Sequence, residues 1–573
     1  MGKNRITSLN DLSLEPRDTP FPSPSEWRDQ FIYFLLVDRF NDGKRRPQYD
    51  SKTTLQNRDA SNGERFQGGT ISGITKRLSY IKNLGATAVW ISPVLKNRIE
   101  DEYGYHAYGV QNFLEIDPRF GSTEDFKKLV QEAHKQGLYV ILDIIINHTG
   151  NNWGYVNDME PGFRTDGKPY EFGFWRRQHA GGTESHGEHD AVWPVEFQNP
   201  DWYQRFGRIG NWEDKNEAQN GDFFGFKELN LNHPDVIDAL VKVYSYWIAE
   251  TDLDGFRIDT IKHVSSDSTA IFSSRIQEFA RRIGKQNFFV FGEVIGSDET
   301  IKEYLIPKQI PGTPDTLSTL DAALDFPLYF FLEEVIKGFC GPEVLSARYE
   351  KLHGLYPETD VSDSFVRFID NHDQVARNSK RFLYHSYPEQ AVLGIGYLLT
   401  SLGIPCIYYG TEQGFDGGEG SDKLIRENMF GGEWGAFGTT GAHFFNEDRT
   451  IYTAIKEIAE IRQNEPALRF GRQYFRNISR DGSHFYFPTV QDGILVYSRI
   501  IDNEEIVIIM NLSNTHQECF VSIDQTLNEK DNDFVDLLLK HAPLVTEGRS
   551  GQITLHTALV PFQISIFKKR EVT

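Results

Sequence analysis

Between about residues 28 and 465, short apolar runs alternate with amphipathic helical segments, and the apolar run recurs eight times. The runs are FIYFLLVDRF (31–40), ATAVWIS (86–92), LYVILDIII (138–146), the start of GFRIDTIKHV (255–264), FFVFGEV (288–294), AALDFPLY (322–329), SFVRFID (364–370) and IPCIYYG (404–410). Each is nearly continuous in hydrophobicity, as strands covered on both faces are. Between them lie helical patterns near 72–84, 122–137, 234–250, 268–284 and 389–402. In the second of these, Ser122 and Asp125 form a capping box, Phe126, Leu129, Val130 and Ala133 make one apolar face, and Gly137 ends the helix. Alternating β and α units imply parallel pairing. Eight of them predict an α/β chain closed into a (β/α)8 TIM barrel, with its chemistry at the C-terminal ends of the strands.

Two segments break the alternation. Residues 151–226 are rich in Gly and Asn and hold five of the nine tryptophans, Trp153, Trp175, Trp193, Trp202 and Trp212. A structureless loop of that length is unusual in a compact domain, so a small inserted domain is expected after strand three. Beyond about residue 470 the helical period disappears. GILVYSRI (493–500), EEIVIIMNLS (504–513), QECFVSI (517–523) and QISIFKK (563–569) read as antiparallel strands of a β-sandwich, with a turn at Asp502-Asn503. The expected organisation is an N-terminal extension (1–27), a barrel (28–150 and 227–468), the insert (151–226) and the sandwich (469–573).

The formal net charge of −22 argues against nucleic acid and anionic membrane surfaces as partners, and favours a neutral or cationic substrate. No apolar run is long enough to span a membrane. The first 27 residues are polar and dotted with proline, with no apolar signal-peptide core, so a cytoplasmic protein is expected, or a secreted one had a leader been removed. Cys340, Cys406 and Cys519 are far apart and read as small buried residues.

The strand ends carry the polar residues that matter. Strand three ends in Asp143, Asn147 and His148. Strand four carries Arg257 and Asp259, two apart and so on one side, followed by Lys262 and His263. Strand five ends in Glu293, and strand seven in Asp370, Asn371, His372 and Asp373. A lone Asp after a strand is usually a helix cap. Here three carboxylates (Asp259, Glu293, Asp373), an Arg and two His converge on one mouth, an arrangement a fold accepts mainly for chemistry. No phosphate-cradling Gly loop, Ser or Cys elbow or HExxH is present. Paired carboxylates without a redox cofactor suit glycoside cleavage, and aromatic residues of the insert would stack on sugar rings.

At these positions the chain resembles the α-amylase superfamily of glycoside hydrolases. DIIINHTG (143–150), GFRIDTIKHV (255–264), FGEV (291–294) and FIDNHD (368–373) resemble its four short regions in order, and VDRFNDG (37–43) and GYHAYG (104–109) resemble flanking motifs. The resemblance implies a retaining mechanism with Asp259 as nucleophile, Glu293 as general acid and base, and Asp373 as the third carboxylate. It implies that His148 and His372 bond sugar hydroxyls, that Tyr108 stacks under the ring with His106 close by, that Asp143 supports the site and that Arg426 contacts Asp373 or the sugar. Arg257 should hold Asp259 ionised, whereas Glu293 has no cation beside it in sequence. Lys262-His263 is the pattern of α-amylases proper, which implies endo-hydrolysis of α-1,4-glucans such as starch, glycogen or maltodextrins. A maltooligosaccharide-trimming hydrolase or a 4-α-glucanotransferase on the same fold is the alternative, and a catalytically dead carbohydrate binder would lack a carboxylate. The resemblance further implies a structural calcium ion (Ca2+) held by Asn147, Glu228 and the carbonyl of His263. A second calcium site near Asn41-Asp42-Gly43 conflicts with the basic run Lys44-Arg45-Arg46.

Overall fold

The computed structural model describes residues 5–16, 18–50, 59–178, 186–309, 316–356, 364–374, 380–418 and 420–570. Eight parallel strands close into a barrel in sequence order: β1 (Ile32–Leu35), β2 (Ala88–Ile91), β3 (Tyr139–Ile144), β4 (Gly255–Ile258), β5 (Phe289–Gly292), β6 (Ala322–Leu324), β7 (Phe365–Arg367) and β8 (Ile404–Tyr408). All their residues are buried except the half-buried Tyr139, as the apolar runs require. The register of β3 against β4 sets Arg257 directly beside Asp143, so a cation and a carboxylate enter the barrel at one level.

The helices lie where the periodicity put them. Thr123–Lys135 starts on the Ser122/Asp125 capping box, and Pro234–Thr251 and Pro388–Thr400 begin on proline. The pattern at 72–84 is two short helices, Ile71–Thr75 and Leu78–Asn83. The sixth apolar run is only half strand. Asp325 caps the Leu328 amide, Pro327 follows in the first turn, and Phe326–Ile336 is a helix. A cap followed by proline outweighs continuous hydrophobicity there.

Residues after β3 form the insert. His148–Thr149 pairs with Lys227–Glu228 at its neck, and Trp153–Tyr155 pairs with Phe172–Trp175 inside it. Trp153, Tyr155 and Tyr203 build its core. The Lys227 ammonium is buried there, 2.9 Å from Asp222 and over the Trp153 and Tyr155 rings at 4.9 and 5.0 Å. The N-terminal segment runs across barrel and insert. Trp27 stacks on Phe289 at 4.5 Å, Thr7 accepts the Val195 amide at 2.9 Å, and Glu196 takes the Ser8 hydroxyl at 2.5 Å.

The C-terminal part is an antiparallel sandwich of a six-stranded and a four-stranded sheet. Its longest hairpin joins Ile494–Ile501 to Glu504–Asn511 across Asp502-Asn503, where Asp502 takes φ +49°. Arg499 ties it to the barrel by donating to the carbonyls of Thr400 at 2.8 Å, Leu468 at 2.9 Å and Gly471 at 2.8 Å. The three cysteines are free thiols, and among the described residues no helix is long and apolar enough to cross a membrane.

Replacing Lys227 by Met would leave Asp222 buried without its cation, at a cost of about 3–5 kcal/mol. The expected result is faster amide hydrogen exchange across Trp153–Tyr155, with exchange in the sandwich unchanged.

Candidate active site

The site is built outward from Arg257, which is fully buried. Because Asp259 is two residues further along the chain, it emerges on the same side. Nη1 of Arg257 donates to Asp259 Oδ1 at 2.8 Å and to both oxygens of Asp143 at 2.9 and 3.0 Å. Nη2 lies 3.0 Å from Glu293 Oε2, which also accepts the Thr260 amide at 3.1 Å. One guanidinium thus serves three carboxylates from β3, β4 and β5. Glu293 has no cation beside it in sequence, and closure of the barrel, which brings β5 against β4, places it on the same Arg. Asp143 is the support expected of it, since it also accepts from Trp90 Nε1 at 3.2 Å and Tyr108 Oη at 3.0 Å.

The charge arithmetic is unfavourable to full ionisation. Burial pushes Asp143 up to about 6 against the pull of Arg257. Burial, with repulsion from Glu293, Asp143 and Asp373, raises Asp259 well above the usual carboxylate range although Arg257 opposes it. The free cluster therefore retains a proton over mildly acidic pH, and its apparent titrations belong to the group rather than to one residue. Asp259 held ionised by its cation alone is thus an incomplete account. Asp373 differs. Burial would raise it, but His372 and Arg426 outweigh burial and hold it down at about 2. Burial lowers His106, His148 and His372 to about 3 each, and His263 to about 4.

These groups face a cavity of about 690 Å³ lined by Asp259, Glu293 and Asp373 together with His106, Tyr108, His148, Lys262, His263 and Arg426. Arg426 pairs with Asp373, donates to the His372 carbonyl at 3.0 Å and to Tyr105 Oη at 3.2 Å. The Lys262 ammonium has no partner among the described residues, and His148 Nε2 is buried and unpaired. Arg257 and His372, both expected to bind substrate, are fully buried. Arg257 is a brace beneath the cleft. His372 is fully buried, with Nδ1 2.7 Å from Asn371 Oδ1 and Nε2 2.8 Å from Tyr108 Oη and 3.1 Å from Asp373. Its Nε2 positions Tyr108 and Asp373.

The aromatic wall of the cleft comes from the insert. Trp153, Trp193 and Trp202 are buried in the insert. The rings that reach the cleft are Phe223, Phe224 and Phe226, with Thr260, Ile295, Gln374 and Asp422. The run FFGF just before the neck strand was the available signal, three phenylalanines in a polar, Gly-punctuated stretch.

Of the residues expected to hold calcium, Asn147 and Glu228 meet. Asn147 Nδ2 donates to Glu228 Oε2 at 2.8 Å, while Asn147 Oδ1 is buried without a partner. Burial and the nearby Asp222 raise Glu228 well above its ordinary range, and no cation offsets them. An orphaned amide oxygen beside an uncompensated carboxylate fits a hard cation. Among the described residues no group of three or more His, Cys, Asp or Glu side chains is arranged to hold a metal ion, so such an ion would lean on Asn147, Glu228 and backbone carbonyls such as that of His263. Near β1, the Arg46 guanidinium grips both oxygens of Asp42 at 2.7 and 2.8 Å, and a protein cation stands where a second ion would need that carboxylate.

A closed parallel barrel whose mouth unites three carboxylates, a shared arginine and aromatic walls has the cleft of a barrel enzyme at the C-terminal ends of its strands. The α-amylase catalytic-domain family matches residues 34–469, and the chain belongs to that family. It is 28% identical over 582 residues to the beta/alpha-amylase of Paenibacillus polymyxa, covering 98% of this chain and 40% of that protein. It is 27% identical over 542 residues to the cyclomaltodextrin glucanotransferase of Klebsiella oxytoca, covering 88% of this chain and 73% of that one. The crystal structure of an Anoxybacillus α-amylase superposes with a TM-score of 0.68 at 26% identity, covering 96% of this chain and all (100%) of that one. The chain thus spans less than half the length of the Paenibacillus relative.

With His106, His148, His263 and His372 neutral above about pH 5, the acidic limb of kcat/KM should belong to the carboxylate cluster. His106→Gln is expected to lower kcat/KM about tenfold, the worth of one lost hydrogen bond, without moving the midpoint of that limb in a pH–rate profile.

Proposed function

We propose that this enzyme hydrolyses α-1,4-glucosidic bonds of starch, glycogen or maltodextrins, within the chain, by a double displacement that retains anomeric configuration. The observation that carries the reading is the grip of Arg257 on Asp259 and Glu293 together. One guanidinium holds two carboxyls only at short range, which suits the about 5–5.5 Å of a retaining pair better than the about 6.5–9.5 Å of an inverting one.

In the first step Asp259 attacks the anomeric carbon while the glycosidic oxygen leaves with a proton from Glu293. Glu293 Oε2 is already occupied by the Thr260 amide and lies against Arg257, so Oε1 is the oxygen that carries the proton. In the second step Glu293 takes a proton from water as the water oxygen bonds to the anomeric carbon, and the ester bond to Asp259 breaks. Asp373, ionised and fixed by Arg426, faces the positive charge that develops on the ring. Tyr108 offers the ring a flat wall, and His106 and His148, both neutral, offer nitrogens to its hydroxyls. A neutral polymer also suits a chain of net charge −22.

Transfer of the glycosyl group to another sugar uses the same groups, and the unpaired donor Lys262 and the exposed ring of Phe224 on the cleft wall favour keeping that second reading. A calcium ion on Asn147, Glu228 and the carbonyl of His263 would supply charge that pins the neck of the insert to the barrel.

Asp259→Asn and Glu293→Gln are each expected to lower turnover of soluble starch by several orders of magnitude while circular dichroism stays native; near-normal turnover in either would remove the assigned roles. Chromatography of products from starch, pullulan and cyclodextrin separates internal cleavage from trimming, and products longer than a maltoheptaose substrate identify transfer. Chelation should lower the melting temperature, calcium should restore it, and Asn147→Ala should abolish that difference.

A further inference from the structure

A further buried guanidinium holds the side of the cleft that carries Asp373. Arg39 stands in the single helical turn after β1 (Val37–Phe40) and is fully buried. Its Nη1 donates to the Arg426 carbonyl at 3.0 Å, and its Nη2 to the carbonyls of Gly63 at 3.0 Å and Arg65 at 2.9 Å. Its Nε lies 3.0 Å from Asp38 Oδ2, and its Cζ sits 3.8 Å over the centre of the Tyr105 ring. One side chain thus touches the loops that follow β1, β2 and β8, through Gly63 and Arg65, Tyr105, and Arg426. A planar fork of donors can do this; the compact ammonium of a lysine cannot reach three carbonyls and cover a ring at once.

Tyr105 is where this scaffold reaches the chemistry. It is buried, and its hydroxyl accepts Arg426 Nη1 at 3.2 Å. Arg426 pairs with Asp373 through Nη2 and donates to the His372 carbonyl through Nε at 3.0 Å. Every nitrogen of the Arg426 guanidinium is therefore engaged. Arg426 itself has φ −118° and ψ 42°, just past the short 3-10 helix Asp422–Ile425, so no regular element fixes it. The carbonyls on either side of it are held too, Ile425 by Arg381 at 2.9 Å and Glu427 by Tyr409 at 2.9 Å. Those bonds restrain the backbone, whereas Tyr105 joins the Arg426 side chain to the Arg39 scaffold. A hydrogen bond from a charged donor is directional as well as strong, and without that acceptor the guanidinium is free to turn on Asp373.

We propose that Tyr105, seated on Arg39, is a positioning residue for the reaction: it fixes the angle at which Arg426 meets Asp373, and so the carboxylate that faces the charge developing on the sugar ring. This rests on the glycosyl-enzyme reading above. Tyr105 is not among the side chains that line the cavity, so its effect passes through Arg426. Asp373 matters most when the ring carries positive charge, so the loss of Tyr105 should be felt in the transition state and not in substrate binding.

The test is a double-mutant cycle with maltopentaose as substrate. Tyr105→Phe removes the hydroxyl and leaves the ring beneath Arg39. It is made in the unaltered chain and in Arg426→Ala. In the unaltered chain kcat is expected to fall about tenfold, with KM changed by no more than about twofold. In Arg426→Ala the same substitution should cost nothing further, because the group it positions is gone. An equal loss in both backgrounds would overturn the proposal, since the hydroxyl would then serve the fold or another group. An unchanged kcat in Tyr105→Phe, or a loss carried by KM alone, would overturn it as well. Were the unaltered enzyme to release no sugar from maltopentaose or soluble starch, the function proposed above would fall instead, and this proposal with it.

Discussion

Everything at the mouth of this barrel depends on one buried cation serving more negative charge than it can neutralise. Arg257 touches Asp143, Asp259 and Glu293, and the second guanidinium of the site, Arg426, is engaged with Asp373. A charge surplus in a dry cavity is destabilising. It persists because the β3–β4 register and barrel closure leave the side chains no alternative partner. The same surplus makes the site chemically useful, since it keeps a proton on a carboxyl at a pH where an isolated carboxyl would lose it.

The second level of organisation is a division between what is fixed and what is adaptable. The carboxylates stand at strand ends, in a barrel whose strands are buried on both faces, so their spacing is rigid. The sugar-facing walls come from the insert and from turns after the strands, held by ring contacts such as Phe223 on His148 and Trp212 on Phe224. Bond-breaking geometry and substrate preference are thus carried by different parts of the chain, as barrel enzymes in general allow. Relatives named both as amylases and as a glucanotransferase are consistent with a change in walls around a shared centre.

Much of this was legible in the residues because strand-end chemistry follows from topology. Once eight apolar runs imply a barrel, Asp143, Arg257, Glu293 and Asp373 must face one axis, whatever the loops do. The helix at Phe326–Ile336 was legible too, in Asp325 and Pro327, but an unbroken apolar run masked the cap. The shared ion pair of Glu293 was not legible, because it depends on the reach of a side chain across β4 and β5. Nor were the occupied nitrogens of His372. The choice of Phe223, Phe224 and Phe226 over the tryptophans also escaped, since the insert has no period that separates its core from its cleft face.

The strain at Phe224 bears on why a wall residue can be selected independently of the fold. Its conformation costs stability locally, but a ring that is 77% exposed contributes almost nothing to the core in return. Such a position can change without disturbing Arg257 and its carboxylates, which sit on the barrel strands and not on the loop. Phe224 is held by a stacked tryptophan in an unfavourable backbone state, on the wall of the cleft and outside the core.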